Sequence, residues 1–268
     1  KWKKIKKWLL IVAAIYLAGG ISLYFLQDAI LFHPVTLKTD QSYNIQSPHR
    51  DISIAINNED TLNLVQFLST GSGSKGAVLY FHGNKKNISW YAKYSSYFTR
   101  HGYELIMIDY PGFGKSRGRF TEETLYQWAN HVYRFAKSRY PSDRIIIYGK
   151  SMGTGIAARL ASREKCSRLI LETPYYDLPS VIQRYLPLFP VSKLLHYELP
   201  THRYLQYTEA PVTILHGTDD GVIAYRNANR LRPFLKATDE FITIEGGNHN
   251  DLFEFPQATR KLDSLLNL

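Results

Sequence analysis

Arg144 to Ala158 reads RIIIYGKSMGTGIAA, and the order of residue types in it decides the fold. A short β-branched, apolar run predicts a buried strand, Gly149-Lys150-Ser151-Met152-Gly153 predicts a sharp turn, and the small residues that follow predict a helix from Ser151 to Ser162. Small residues two before and two after the serine let strand and helix approach closely, while the strained turn lifts the hydroxyl above the sheet. The helix that starts there aims its first amides at any anion formed beside the serine. The pattern occurs twice, because Gly114-Lys115-Ser116-Arg117-Gly118 also fits it. Ser116, however, follows Asp109-Tyr-Pro-Gly-Phe-Gly and precedes further loop residues with no helix start, so it reads as a loop hydroxyl and Ser151 as the nucleophile. Both sites contain Gly-Lys-Ser, but a phosphate loop needs a glycine where this chain has Asp109 and Arg144.

Outward from that stretch the chain alternates between strand-like and helix-like segments. Asp51 to Ile56 and Thr61 to Leu68, joined by Asn57-Asn58-Glu59-Asp60, read as an antiparallel hairpin at a sheet edge. Gly71 to Gly76 reads as a flexible surface loop. Strands are then expected at Ala77 to Phe81, Glu104 to Ile108, Arg144 to Tyr148, Arg168 to Leu171, Val212 to Leu215 and Glu240 to Ile244. Helices are expected at Ile88 to His101, Glu122 to Tyr140, Ala224 to Leu235 and near Leu252 to Leu266. Such alternation implies an α/β fold, a mainly parallel sheet with helices on both faces, whose ligands bind at the carboxyl ends of the strands.

Trp8 to Leu26 contains no charged residue, and a helix of that length spans about 28 Å, close to the hydrocarbon core of a bilayer. Lys1, Lys3, Lys4, Lys6 and Lys7 precede it, so the expected topology is N-terminus in the cytoplasm and the remaining chain on the outer side. Trp2, Trp8, Tyr24 and Phe25 are expected near the two interfaces. A cleaved signal peptide is the alternative, since Ala18-Gly19-Gly20 offers small residues to a peptidase. The expected organisation is a basic segment and transmembrane anchor over 1–28, then one catalytic domain over 29–268. Ala29 to Pro34 would be a juxtamembrane lead-in. The five lysines supply half of the net charge of +10, and no basic stripe interleaved with aromatics remains, so nucleic acid is not an expected partner. The single Cys166 can form no internal disulfide, and no His/Cys cluster has metal spacing; neither metal nor cofactor is expected. A monomer is expected.

A serine hydroxyl needs a neighbouring imidazole to take its proton, and the imidazole needs a carboxylate to fix its tautomer. His216-Gly217-Thr218-Asp219-Asp220 follows one expected strand and Gly247-Asn248-His249 another, giving the chain order Ser, Asp, His.

With these pieces in place the sequence resembles the membrane-anchored α/β-hydrolases that include bacterial anchored hydrolases, monoacylglycerol and lysophospholipid lipases and protein depalmitoylases. The resemblance rests on Leu79 to Asn84, Asp109 to Gly114, Gly149 to Gly153, Leu171 to Pro174, His216-Gly217-Thr218-x-Asp220 and Gly247-x-His249. It implies an α/β-hydrolase fold and a triad of Ser151, His249 and Asp220, the acid standing four residues after His216. It also implies an oxyanion hole from the backbone amides of Met152 and Asn84. His82 and His216 then read as buried loop supports and Glu172 as a structural acid, while Lys85-Lys86 lies beside the oxyanion loop.

The stretch from Pro174 to Ala210 falls where this fold carries a cap, and its Tyr, Leu and Pro content fits an acyl-chain pocket facing the bilayer. Tyr185, Leu186, Leu188 and Phe189 are the candidate substrate contacts. The expected activity is hydrolysis of carboxylic esters of lipid or acyl substrates. Thioester or peptide hydrolysis uses the same apparatus, and a non-catalytic membrane-tethered scaffold is the alternative of another class. Because His249 must be neutral to accept a proton, activity is expected to fall on acidification.

Overall fold

The computed structural model describes residues 1–71 and 73–267; Ser72, in the expected surface loop, and Leu268 lie outside the described residues. In chain order the elements begin with α1 (Trp2–Leu31), β1 (His33–Pro34), β2 (His49–Ala55), β3 (Thr61–Phe67), β4 (Gly76–Phe81) and β5 (Lys85–Lys86). Then come α2 (Ile88–Tyr91), α3 (Ser95–Thr99), β6 (Tyr103–Asp109), α4 (Glu122–Lys137), β7 (Ile145–Lys150), α5 (Gly153–Ala161) and β8 (Arg168–Glu172). The cap carries α6 (Leu178–Gln183), α7 (Val191–Leu194) and α8 (Thr201–Leu205), and the chain closes with β9 (Val212–Gly217), α9 (Tyr225–Asn229), β10 (Glu240–Ile244) and α10 (Pro256–Leu266).

Eight strands form one sheet in the order β10-β9-β8-β7-β4-β6-β3-β2. The pairs from β10 through β6 are parallel, and the β2–β3 hairpin joins antiparallel at one edge, as its Asx-rich turn suggests. Strands buried on both faces need apolar side chains at every position, and β4, β6 and β7 have them or carry tightly bonded polar groups. Alternation along β4 divides the core: Ala77, Leu79 and Phe81 face the layer holding α4 and α5, while Val78 and Tyr80 face Phe98 of α3 and Leu262 of α10. Each such large side chain contributes about 1.5–3 kcal/mol by leaving water. This is the doubly covered, mainly parallel α/β-hydrolase architecture.

Some helical boundaries differ from the sequence reading. Ile88 to His101 is two short helices joined by a 3-10 turn at Ala92–Tyr94. Ala224 to Leu235 shortens to α9 plus a 3-10 turn, because Pro233 has no amide to donate to the preceding turn. At the other end of the chain α1 extends past Asp28 to Leu31, so the boundary placed at residue 28 falls inside a helix. Of the lead-in, Phe32 is extended, and His33 and Pro34 form a short strand that pairs in parallel with Lys85 and Lys86. Among the described residues α1 is one helix long and apolar enough to cross a membrane, with mean hydropathy 2.3 over its most apolar window. Most of its surface is exposed, but Leu23, Gln27 and Leu31 are buried against the rest of the molecule.

Candidate active site

Gly153 begins α5 directly over the end of β4, where an added Cβ would lie 2.0 Å from the carbonyl oxygen of Phe81; at Gly149 it would lie 2.6 Å from the oxygen of Gly153. Only glycine permits both approaches. Between them Ser151 adopts φ of +52°, a left-handed conformation that costs a non-glycine residue of order 1 kcal/mol or more and is held here by its surroundings. Its amide still donates to Glu172 O at 3.0 Å, and the amide and hydroxyl of Thr154 donate to its carbonyl at 2.9 and 2.6 Å. The hydroxyl of Ser151 therefore stands at the carboxyl end of the sheet with little freedom to move.

Two other strand ends deliver its neighbours. His249, in the loop after β10, has Nε2 2.9 Å from Ser151 Oγ and Nδ1 2.7 Å from Asp220 Oδ2, and Asp220 lies in the loop after β9. Since a carboxylate only accepts, Nδ1 carries the proton and Nε2 is left to accept from the serine. Asp220 also accepts from the amides of Val222 and Ile223 through Oδ1, both at 2.8 Å. Burial pushes its carboxyl up, but the hydrogen bond and charge of His249 with the Ile223 amide outweigh burial and hold it below the usual carboxylate range. Asp219 points elsewhere, its Oδ1 accepting from Thr218 Oγ1 at 3.1 Å. The structure thus brings Ser151, His249 and Asp220 into one hydrogen-bonded row.

The supports are more extensive than the sequence suggested. Asp109 is fully buried and accepts from Tyr43 Oη at 2.6 Å, from the Ile88 amide at 3.0 Å and from His82 Nε2 at 3.2 Å. It therefore holds both ends of the loop containing Gly83 and Asn84. Asn84 is in turn tied to the end of α1: its side-chain amide donates to Leu31 O at 2.5 Å and its carbonyl accepts from the His33 amide at 2.9 Å. Met152 is buried at the N-cap of α5, with its carbonyl accepting from Tyr175 Oη at 2.9 Å. Glu172 does not take the acid's place, since His249 Nδ1 is bonded to Asp220; it is buried in an ion pair with Lys150 and accepts from Tyr148 Oη at 2.6 Å. Lys150 also donates to the carbonyl of His249 at 3.1 Å, a contact no local sequence signal announces. His216 is buried, donates through Nδ1 to Gly217 O at 2.9 Å and has its Nε2 unpartnered, 3.7 Å from Asp220 Oδ2. Burial pushes its pKa down, which keeps it neutral beside the row. Ser116, the rival serine, is fully buried, bonded to Asp109 O at 2.6 Å and to the Asn63 amide at 2.9 Å.

Above Ser151 and His249 lies a mainly apolar cavity of about 560 Å³, bordered by Gly83, Asn84 and Met152. Tyr185 and Leu186 line it, but Leu188 and Phe189 do not. Those two reach past the cavity to α1: the Leu188 carbonyl accepts from Tyr16 Oη at 3.0 Å, and the Phe189 ring stacks on Tyr16 at 4.8 Å. The pair therefore contacts the helix, not a site for substrate as expected.

The family described as "Serine aminopeptidase, S33" matches residues 72–205, and the chain belongs to that family of α/β-hydrolases. A relative named alpha/beta hydrolase domain-containing protein 17C, from Xenopus tropicalis, is 28% identical over 206 residues, covering 75% of this chain and 64% of that one. The chain thus spans less than two thirds of that relative's length. An uncharacterized protein of Mycobacterium tuberculosis is 25% identical over 238 residues, 87% of this chain and 85% of its own. The esterase Pf2001 of Pyrococcus furiosus superposes with a TM-score of 0.69 at 17% identity, over 88% of this chain and 97% of that one. The Paleococcus ferrophilus monoacylglycerol lipase gives 0.59 at 20% identity, over 77% and 98%. At those identities the structures establish the fold.

Proposed function

We propose that the protein is a membrane-anchored serine hydrolase that cleaves carboxylic esters of lipid or acyl substrates. The observation that carries this reading is the row Ser151 Oγ–His249 Nε2–His249 Nδ1–Asp220 Oδ2, at 2.9 and 2.7 Å, on the floor of an apolar cavity. Ser151 Oγ attacks the ester carbonyl as its proton passes to His249 Nε2. The amides of Met152 and Asn84 receive the oxyanion, and the field at the first turn of α5 favours that charge. The carbonyl-to-alkoxy bond breaks, His249 returns the proton to the departing alkoxide, and the acyl group remains on Ser151. Water repeats the sequence in reverse and releases the acid.

The cavity also speaks on substrate class. An aminopeptidase must neutralise a substrate ammonium, yet none of the described lining residues is Asp or Glu; the charged groups there are Lys85 and Lys86, with Lys150 already paired with Glu172. That charge pattern supports an uncharged or anionic ester over a free amino terminus. Helix α1 supports anchorage, and the five lysines before its apolar stretch orient the domain to the outer side. The organisation we propose is anchor followed by a single catalytic domain.

Labelling with a fluorophosphonate tests the assignment. The wild type and Ser116→Ala are expected to form the adduct and Ser151→Ala to form none; adduct on Ser151→Ala would reject the nucleophile.

A further inference from the structure

The outer end of α1 is built into the domain at the cavity. Leu23, Ile30 and Leu31 of α1 line the same cavity as Ser151 and His249. Gln27 is 1% exposed, and its side chain bridges to the cap, donating to Leu194 O at 3.2 Å and accepting from the His196 amide at 2.7 Å. Asp28 accepts from Tyr197 Oη at 2.8 Å. Further toward the N-terminus, Phe189 sits over Gly19 and Gly20, and a Cβ at Gly19 would approach its ring to 2.9 Å. These glycines, which suggested a peptidase site, form the seat of a cap side chain.

Leu23 belongs to two environments at once, since it lies inside the uncharged stretch Trp8 to Leu26 and also on the cavity wall. The cap edge meets α1 as far back as Tyr16, about 15 Å along the helix from Leu26. If that stretch spans a bilayer, the cavity is therefore continuous with the hydrocarbon level of one leaflet.

We infer that α1 is a wall of the substrate site, a specificity-determining element as well as a tether, and that it guides a long acyl chain from the leaflet to Ser151. The acyl chain runs between Leu23 and Ile30 on one side and the cap residues Val181, Ile182 and Leu186 on the other. A lipid with one such chain fits the cavity volume, and its ester would reach Ser151 without leaving apolar surroundings. This inference rests on the hydrolase reading.

The experiment uses the full-length protein in detergent micelles and a hexadecyl fluorophosphonate carrying a diazirine at the far end of its chain. After reaction and illumination, mass spectrometry is expected to find the phosphonyl group on Ser151 and the photocrosslink on the α1 peptide containing Leu23 to Leu31. An adduct on Ser151 with crosslinks confined to sheet or other cap residues would overturn the inference alone; no adduct on Ser151 would remove the hydrolase reading and the inference with it. A second measurement uses Ile30→Trp, at a position 52% exposed and so tolerant of size. The ratio of kcat/KM for p-nitrophenyl palmitate to that for the butyrate should fall about tenfold, the worth of about two methylenes of lost apolar contact. An unchanged ratio would count against α1 as a wall.

Discussion

The two Gly-Lys-Ser sites share a pattern and almost nothing else. At Ser151 the chain leaves a central parallel strand, turns through a left-handed residue and enters a helix, so the hydroxyl meets an imidazole at 2.9 Å. At Ser116 the chain passes through a breaker-rich loop, and the hydroxyl is fully buried and spent on the backbone of Asp109 and Asn63. The lysines differ as well. Lys150 is buried in an ion pair with Glu172 and reaches His249 O, whereas Lys115 pairs with Asp51 nearer the surface, where both retain solvent contact. A local pattern names candidates; the strand end decides which one meets a histidine.

The sharpest way to break the comparison is kinetic. Ser151→Ala should lower kcat by on the order of 10⁶-fold on a nitrophenyl ester, the size seen when a triad serine is removed elsewhere, while Ser116→Ala stays within severalfold of wild type. Next comes stability at the lysines. Lys150→Met strands the buried Glu172 charge and should cost about 3–5 kcal/mol in denaturant unfolding, whereas Lys115→Met should cost about 0–1 kcal/mol. Adding Glu172→Gln to Lys150→Met should recover much of the loss, since the uncompensated charge is then gone. Equal costs at the two lysines would erase the distinction. Ser116→Ala leaves the Asn63 amide and Asp109 carbonyl without their partner, so it should cost about 1–3 kcal/mol of stability.

The smallest expected effect is on pH. His216 and His131 are both pushed down by burial, so the folded state binds fewer protons than the unfolded one once pH falls below about 6.5. Stability is therefore lost on acidification, and His216→Asn should flatten, without abolishing, the fall in Tm from neutral pH to about pH 5. Asp220 acts lower on the scale: its depressed pKa gives stability that persists above the ordinary carboxylate range and disappears below it. A His216→Asn slope equal to wild type would show that this imidazole does not contribute.

Much of the sheet was legible because buried strands announce themselves by apolar runs, and β10 at Glu240–Ile244 begins and ends where the sequence reading put it. Helices were less so, since Pro233 outweighed the periodicity around it and Ile88 to His101 kinks into separate turns. The site residues could be proposed from strand ends and glycine loops, and His82, His216 and Glu172 as their supports, but not the long-range partners that complete the site. Lys150 and His249 stand 99 positions apart, and Gln27 and His196 stand 169 apart. Nothing in one strand of text couples such distant letters. The same limit misplaced Leu188 and Phe189, whose composition suits an acyl pocket and whose position gives them to Tyr16 and Gly19 instead.

One continuous helix from Trp2 to Leu31 passes, after a single residue, into the strand that pairs with Lys85 and Lys86 beside Asn84. If α1 spans a bilayer, a tilt that thin or thick lipid imposes on the helix would pass through that one-residue join toward the cleft, and membrane thickness would become a variable of the site.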